Sequence, residues 1–132
     1  MNKKIFFQFF VFILFTTLII VSCDDTKPSD LLEVPSSNVS YSQHIQPIFE
    51  LSCNSGNCHS VQNHAGGLSL TNWANTTSSY LVVAPGHPDN SLLVLSVEGK
   101  STYPMPPAGY SILTENQRIG IRTWVKEGAK NN

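Results

Sequence analysis

The stretch LSCNSGNCHS at residues 51–60 holds the side chains with the most specific chemical pattern in this sequence. Cys53 and Cys58 are separated by four residues, and His59 directly follows the second cysteine. Such a group could attach a haem covalently, bind zinc or, through the cysteines alone, form a disulfide. The haem-attachment motif normally has two residues between its cysteines, so the longer spacing leaves these three chemistries open.

A haem would use all three side chains. The two thiols would add to its vinyl groups, and the adjacent imidazole would bind the iron. The longer spacer reaches the same two vinyl groups only if its extra residues loop outward. Residues 54–57 are small and polar, and Gly56 tolerates unusual backbone dihedrals, so they suit such a loop. Ser55 occupies the first-cysteine position of the shorter motif, which leaves attachment through Cys58 alone as an alternative.

An iron bound by His59 needs a second axial ligand or keeps an open face. Met105 is the one methionine besides the initiator, and prolines on both sides of it would hold its sulfur in place. Axial ligation by His and Met is known for haem, so Met105 is the candidate distal ligand. His64 and His87 are the alternatives, while His44 is interpreted as a surface or partly buried side chain.

The non-haem alternatives use the same residues differently. Oxidising conditions outside the cytoplasm favour a disulfide between Cys53 and Cys58. A structural zinc site needs four ligands, and the fourth would have to come from a distant group such as His64 or His87.

The N-terminus is typical of an export signal. A short basic start with Lys3 and Lys4 precedes a long apolar run that ends at Ser22 and Cys23. A cysteine directly after the cut resembles a bacterial lipoprotein signal, in which Cys23 receives the lipid and begins the mature chain. An uncleaved transmembrane anchor is the alternative, because the run is close to the lower limit of roughly 17 residues for a span. Both interpretations predict an exported, membrane-attached protein facing the periplasm or the cell surface.

Lipidation of Cys23 also explains the odd number of 3 Cys, since it leaves one pair for the domain. Removing residues 1–22 takes Lys3 and Lys4 from the 8 Lys+Arg and none of the 9 Asp+Glu. The mature charge is therefore 6 − 9 = −3. No basic character indicates nucleic-acid binding.

We predict three segments: a signal peptide at 1–22, a lipidated cysteine and flexible tether at 23–39, and a domain at 40–132. The tether assignment depends on a stretch rich in Asp, Ser and Pro without hydrophobic periodicity.

Helices are expected at both ends of the domain. Ser40 and Gln43 have capping-box spacing, and so do Thr114 and Gln117. Each box precedes an apolar helical stripe, and Pro47 should bend the first helix. The stripes are Ile45, Ile48 and Phe49 in the first helix and Ile121, Trp124 and Val125 in the last.

A turn and a third helix are predicted for PGHPDNSLLVLS, with Pro88 at the first helical position. YPMPPAGY is predicted to be an extended loop, because its prolines remove backbone donors. Gly128 is the expected stop of the last helix. A domain of about 90 residues with so few helices buries a small core, which a cofactor could complete.

The ordered series IQPIF, CNSGNCH, GLSL, PGHPDNSLL, MPP and LTENQRIGIRTWVKEGA resembles the small class I cytochrome c domains of exported bacterial proteins of the Bacteroidetes type. The resemblance extends from Tyr41 to Ala129. It implies an all-α fold of three or more short helices with long loops around a covalent haem, and a contact between the first and last helices near Phe49 and Trp124. His87 departs from the pattern, because relatives often have a capping Asp there.

The resemblance implies haem attachment at Cys53 and Cys58, with His59 as the proximal and Met105 as the distal iron ligand. We therefore predict a membrane-tethered, monomeric electron carrier with one haem c per chain and transient redox protein partners, rather than an enzyme. The alternatives are a haem enzyme or sensor with an open distal site, and a non-haem lipoprotein module with a Cys53–Cys58 disulfide.

Overall fold

The computed structural model describes residues 32–54, 58–110 and 112–132. The predicted signal peptide, Cys23 and most of the predicted tether lie outside these residues. The described part of the chain is helical and contains no strand, which confirms the predicted all-α fold class. No helix in these three ranges is both long enough and apolar enough to cross a membrane.

Four short α-helices and three other helical turns make up this part of the chain. In order, they are a π-helical turn Tyr41–Ile45, α1 Gln46–Ser52, a 3-10 turn Ala65–Gly67, α2 Trp73–Thr76, a 3-10 turn Pro88–Asn90, α3 Leu92–Val97 and α4 Glu115–Lys126. Pro47 is the second residue of α1 and has no N–H to donate to the π-helical turn that directly precedes this helix. The winding changes from π to α next to Pro47.

The first helix has half of the predicted capping box. The Ser40 hydroxyl accepts a hydrogen bond from the backbone N–H of Gln43 at 3.2 Å. The backbone N–H of Ser40 donates at 2.9 Å to Nδ1 of His44, not to the Gln43 side chain. His44 is therefore a capping residue of the first helix.

The last helix has the complete box. The backbone N–H of Gln117 donates to Oγ1 of Thr114 at 3.2 Å, and the backbone N–H of Thr114 donates to Oε1 of Gln117 at 3.0 Å. The helix ends at Lys126, and Gly128 follows with φ of 101°, a conformation that glycine adopts without a steric penalty. Both predicted ends of this helix are confirmed.

The third predicted helix begins later than expected. Pro88 starts a separate 3-10 turn, and α3 begins only at Leu92. Ser91 lies between them in an extended conformation, and its buried hydroxyl bonds to the preceding loop. It accepts from the backbone N–H of Ala84 at 2.8 Å and donates to the carbonyl of His87 at 3.1 Å. These bonds keep Ser91 out of a continuous helix.

The core lies between the first and last helices, and all six residues of the two predicted stripes are fully buried. Tyr41 lies between them, with its ring centroid 5.3 Å from that of Trp124 and 6.4 Å from that of Phe49. Phe49 and Trp124 thus share one core, as predicted, and each has a ring contact with Tyr41.

The packed part of the chain begins before the predicted boundary at Ser40. Val34 and Val39 are buried, and the Asn116 side chain pairs with both the N–H and the carbonyl of Val34, at 2.8 and 3.0 Å. The Glu127 carboxylate accepts from the N–H of Val39 at 2.9 Å. Val34 and Val39, which fall within the predicted tether, are therefore held against α4 and Glu127, a placement that composition does not reveal.

Candidate functional site

A cavity of about 610 Å³ brings together the four residues that the sequence singled out, Cys53, Cys58, His59 and Met105. Its volume lies in the usual range for small-molecule and cofactor sites, roughly 300–1,000 Å³. The apolar lining comes from α3 and the loops beside it: Leu68, Leu70, Val82, Leu92, Leu93, Val97 and Leu113. Among the described residues, no Asp, Glu, Lys or Arg side chain lines the cavity.

His59 is held by both its ring and its backbone. Its Nδ1 lies 3.1 Å from the carbonyl oxygen of Leu68, and its own carbonyl accepts from the N–H of Leu70 at 2.9 Å. A carbonyl oxygen can only accept, so Nδ1 carries the hydrogen in this bond and Nε2 of the neutral ring keeps a lone pair. A histidine that binds a metal through one nitrogen commonly donates from the other in this way.

The two ends of the cysteine spacer lie close together. The N–H of His59 points to the carbonyl of Cys53 at 3.3 Å, and the carbonyl of Cys58 accepts from the N–H of Ala65 at 2.9 Å. The chain therefore returns to its starting point between the two cysteines. Residues 55–57, where the predicted outward loop falls, lie outside the described residues.

Burial and, to a smaller extent, the neighbouring Cys58 together raise the pKa of the Cys53 thiol to about 12. In the metal-free protein, Cys53 is therefore a protonated thiol at neutral pH. The described residues also contain no group of three or more His, Cys, Asp or Glu placed to hold a metal ion. The mostly apolar lining of the cavity favours a ligand with a large apolar body.

Met105 lines the cavity from the loop between α3 and α4. Its backbone N–H donates to the carbonyl of Ser96, in α3, at 2.9 Å. The peptide bond from Met105 to Pro106 is cis, and both Pro106 and Pro107 also line the cavity. The proline-rich loop thus brings a thioether into the same cavity as the imidazole of His59.

The other three histidines lie elsewhere in the described structure. His44 caps the first helix, while His64 and His87 are exposed and do not line the cavity. Among the aromatic residues outside the core, Tyr103 and Tyr110 line the cavity. The indole N–H of Trp73 instead donates to the carbonyl of Ala129 at 2.8 Å, and Tyr80 does not line the cavity.

Residues 56–109 match the family model described as Planctomycete cytochrome C. This match supports a cytochrome c-like domain and a haem-binding electron carrier, and it leaves catalysis open. The matched range includes Cys58, His59 and Met105, covers less than half of the 132-residue chain and begins after Cys53. Comparisons with curated proteins and with solved structures give no significant match.

The residues that line the cavity fit a haem. An apolar cavity suits the porphyrin, thiols can bond to its vinyl groups, and a neutral imidazole and a thioether are ligands for its iron. Sequence reasoning missed the acceptors that orient these groups, the carbonyls of Leu68 and Ser96. Every residue has a backbone carbonyl, so residue type does not reveal which carbonyls act as these acceptors. The segment GLSL, which supplies Leu68, was nevertheless part of the resemblance.

Proposed function

We propose that this protein is a membrane-tethered c-type cytochrome that transfers single electrons. The observation that carries the proposal is the convergence of Cys53, Cys58, His59 and Met105 on one apolar cavity that no charged side chain of the described residues lines. The match to a cytochrome c family independently supports the assignment as a haem-binding electron carrier.

Each of the four residues has one role in this proposal. Cys53 and Cys58 form thioether bonds to one haem per chain. His59 binds the iron through Nε2, because its Nδ1 is engaged with Leu68. Met105 supplies the second axial ligand, since His64 and His87 do not line the cavity.

A bound haem would supply a one-electron couple, and His/Met ligation raises its reduction potential. The protein contributes an apolar wall, which limits water access and also tunes the potential. The cavity lining of the described residues offers no carboxylate for acid–base chemistry, and the two axial side chains leave no open position for a substrate. We therefore favour an electron carrier over a haem enzyme or sensor.

The pyridine haemochrome spectrum of the full chain, produced in a bacterial host with the haem-attachment machinery, tests this function. We expect a c-type spectrum at the position of two thioether bonds and a mature mass that includes one haem. A mass equal to polypeptide and lipid alone would contradict the proposal and favour a disulfide-bonded module.

Membrane attachment is proposed from the sequence pattern before Cys23, and transient redox partners follow from the carrier role. In Cys23→Ser, the lipid acceptor is lost, so the protein should lack the diacyl mass. It should then either leave the membrane fraction or stay there uncleaved. An original protein that already has the mass of the uncleaved chain without lipid would identify the transmembrane alternative.

A further inference from the structure

The segment that carries Met105 has one backbone donor. Residues 104–107 read PMPP, and proline has no N–H, so the N–H of Met105 is the single backbone donor of these four residues. It donates to the carbonyl of Ser96 in α3. The position of Met105 relative to the cavity therefore depends on how the chain from Ser96 to Met105 is held.

Ser101 lies in the middle of the segment from Ser96 to Met105 and fixes it by hydrogen bonds. Its hydroxyl accepts from Oγ of Ser96 at 3.0 Å and from the N–H of Tyr103 at 3.2 Å, and it donates to the carbonyl of Tyr103 at 2.7 Å. One hydroxyl has one hydrogen and two lone pairs, so all of its hydrogen-bonding capacity is used within this connection. Ser101 does not line the cavity, whereas Ser96 and Tyr103 do.

We propose that Ser101 is a positioning residue that determines how strongly Met105 competes with external ligands for the distal position opposite His59. This inference rests on the proposed function. Methionine is flexible, with three rotatable bonds, so the loop backbone must be fixed for its sulfur to stay in one place. The Ser101 bonds favour the bound thioether because they hold the loop in the arrangement that presents Met105 to the cavity.

Imidazole provides the test, because it competes with the thioether for the distal position. The apparent affinity for imidazole rises as the fraction of molecules with Met105 dissociated rises. Loss of about one net hydrogen bond from the arrangement with Met105 bound to iron shifts the equilibrium towards dissociated Met105 roughly fivefold. We therefore expect the ferric holoprotein of Ser101→Ala to bind imidazole roughly fivefold more tightly than the original protein.

Two further variants make the comparison specific. Ser101→Thr keeps the hydroxyl and should stay within about twofold of the original imidazole affinity. Ser78→Ala is the matched control: the Ser78 hydroxyl donates to the carbonyl of Asn75 at 2.8 Å, is exposed and does not line the cavity. It should leave the affinity unchanged. Thermal unfolding of each variant separates loosened ligation from general loss of structure.

The sulfur-to-iron charge-transfer band of the ferric protein distinguishes the possible failures. With the band present in the original protein, an unchanged imidazole affinity of Ser101→Ala overturns the role of Ser101 and leaves the cytochrome proposal intact. An equal gain in affinity for Ser101→Ala and Ser78→Ala overturns it as well. Covalent haem without the band in any variant overturns both Met105 ligation and this inference, while haem binding stands.

Discussion

Nδ1 of His59 lies 3.1 Å from the carbonyl oxygen of Leu68, and the same distance separates Nδ1 of His64 from the carbonyl oxygen of Val61. The two contacts differ in exposure, because His59 is half-buried beside the cavity and His64 is exposed. A backbone acceptor fixes the tautomer of each neutral ring, but only the half-buried bond is partly shielded from water.

Proton exchange of the histidine rings should therefore differ. In ¹⁵N-histidine-labelled holoprotein, the Nδ1–H signal of His59 should persist and exchange slowly with solvent, whereas that of His64 should exchange fast. His64 is the matched control because its hydrogen-bond distance is the same. A His59 Nδ1–H that exchanges as fast as that of His64 would show that its bond to Leu68 is not shielded, whereas a hydrogen on Nε2 would contradict the assignment of Nε2 as the iron-binding nitrogen.

Cys53 and Cys58 should each contribute one thioether bond. Cys53→Ser should retain haem through Cys58 alone, and its pyridine haemochrome band should move to the position of a single thioether. Cys58→Ser should lose the bond next to His59, and the double variant should contain no covalent haem. Intact mass and the haemochrome spectrum measure both effects.

The decisive comparison is between Cys53→Ser and the original protein. An unchanged band position in Cys53→Ser would show that Cys53 forms no thioether bond and that Cys58 alone holds the haem. The family match begins after Cys53, so this variant tests the part of the site that the match does not cover.

Much of the fold could be predicted because local patterns determine it. The capping box of Thr114 and Gln117 and the apolar spacing of Ile121, Trp124 and Val125 each depend on residues within one helix, and both are as expected. The sequence is less informative where a distant group takes part. Val34 is buried because Asn116, 82 residues away, pairs with its backbone.

The donor residues of the candidate site could be named from the sequence, but not their placement. Cys58 and His59 are adjacent in the chain, whereas Met105 reaches the same cavity only through its bond to Ser96. Ser101 has no motif at all, and its role is visible only from three hydrogen bonds to non-adjacent atoms. Serine at a loop position carries no such information by itself.

Glu98 should make stability depend on pH. Hydrogen bonds from Arg122 and then Lys100 lower its pKa to about 2, against the opposing effect of burial. Folding lowers the pKa of the Glu98 carboxyl group, so the ionised group stabilises the protein at pH values above its unfolded pKa of 4.5. This stabilisation is lost as the pH falls towards the folded pKa of about 2. Glu98→Gln should lower the free energy of unfolding by about 1 kcal/mol at pH 7.

Urea unfolding at several pH values measures the difference between Glu98→Gln and the original protein. The difference should shrink as pH falls below 4.5 and vanish below pH 2, where Glu98 is protonated in the folded state as well. Glu115→Gln is the matched control, because Glu115 also pairs with an arginine, Arg118, but its side chain is 71% exposed. Its effect should stay below about 0.5 kcal/mol, and an equal effect of both variants would argue against a special role for Glu98.

Gly120 and Val34 are in contact where the N-terminal segment crosses α4. A Cβ placed on Gly120 would lie 2.5 Å from Cγ1 and 2.6 Å from Cβ of Val34, too close without movement of the backbone or of the valine. Alanine favours a helix over glycine by about 1 kcal/mol, while overpacking costs about 1–3 kcal/mol. Gly120→Ala should therefore lower the free energy of unfolding by about 1 kcal/mol net.

A double-mutant cycle separates this clash from other effects. Val34→Gly alone should destabilise the protein, because it removes a buried side chain, but it also removes the Cβ and Cγ atoms of Val34 that the new Cβ would meet. The double variant should consequently be less destabilised than the sum of the two single changes, by about 0.5–1 kcal/mol. Strictly additive effects, or a Gly120→Ala variant more stable than the original protein, would show that the segment containing Val34 does not pack on α4.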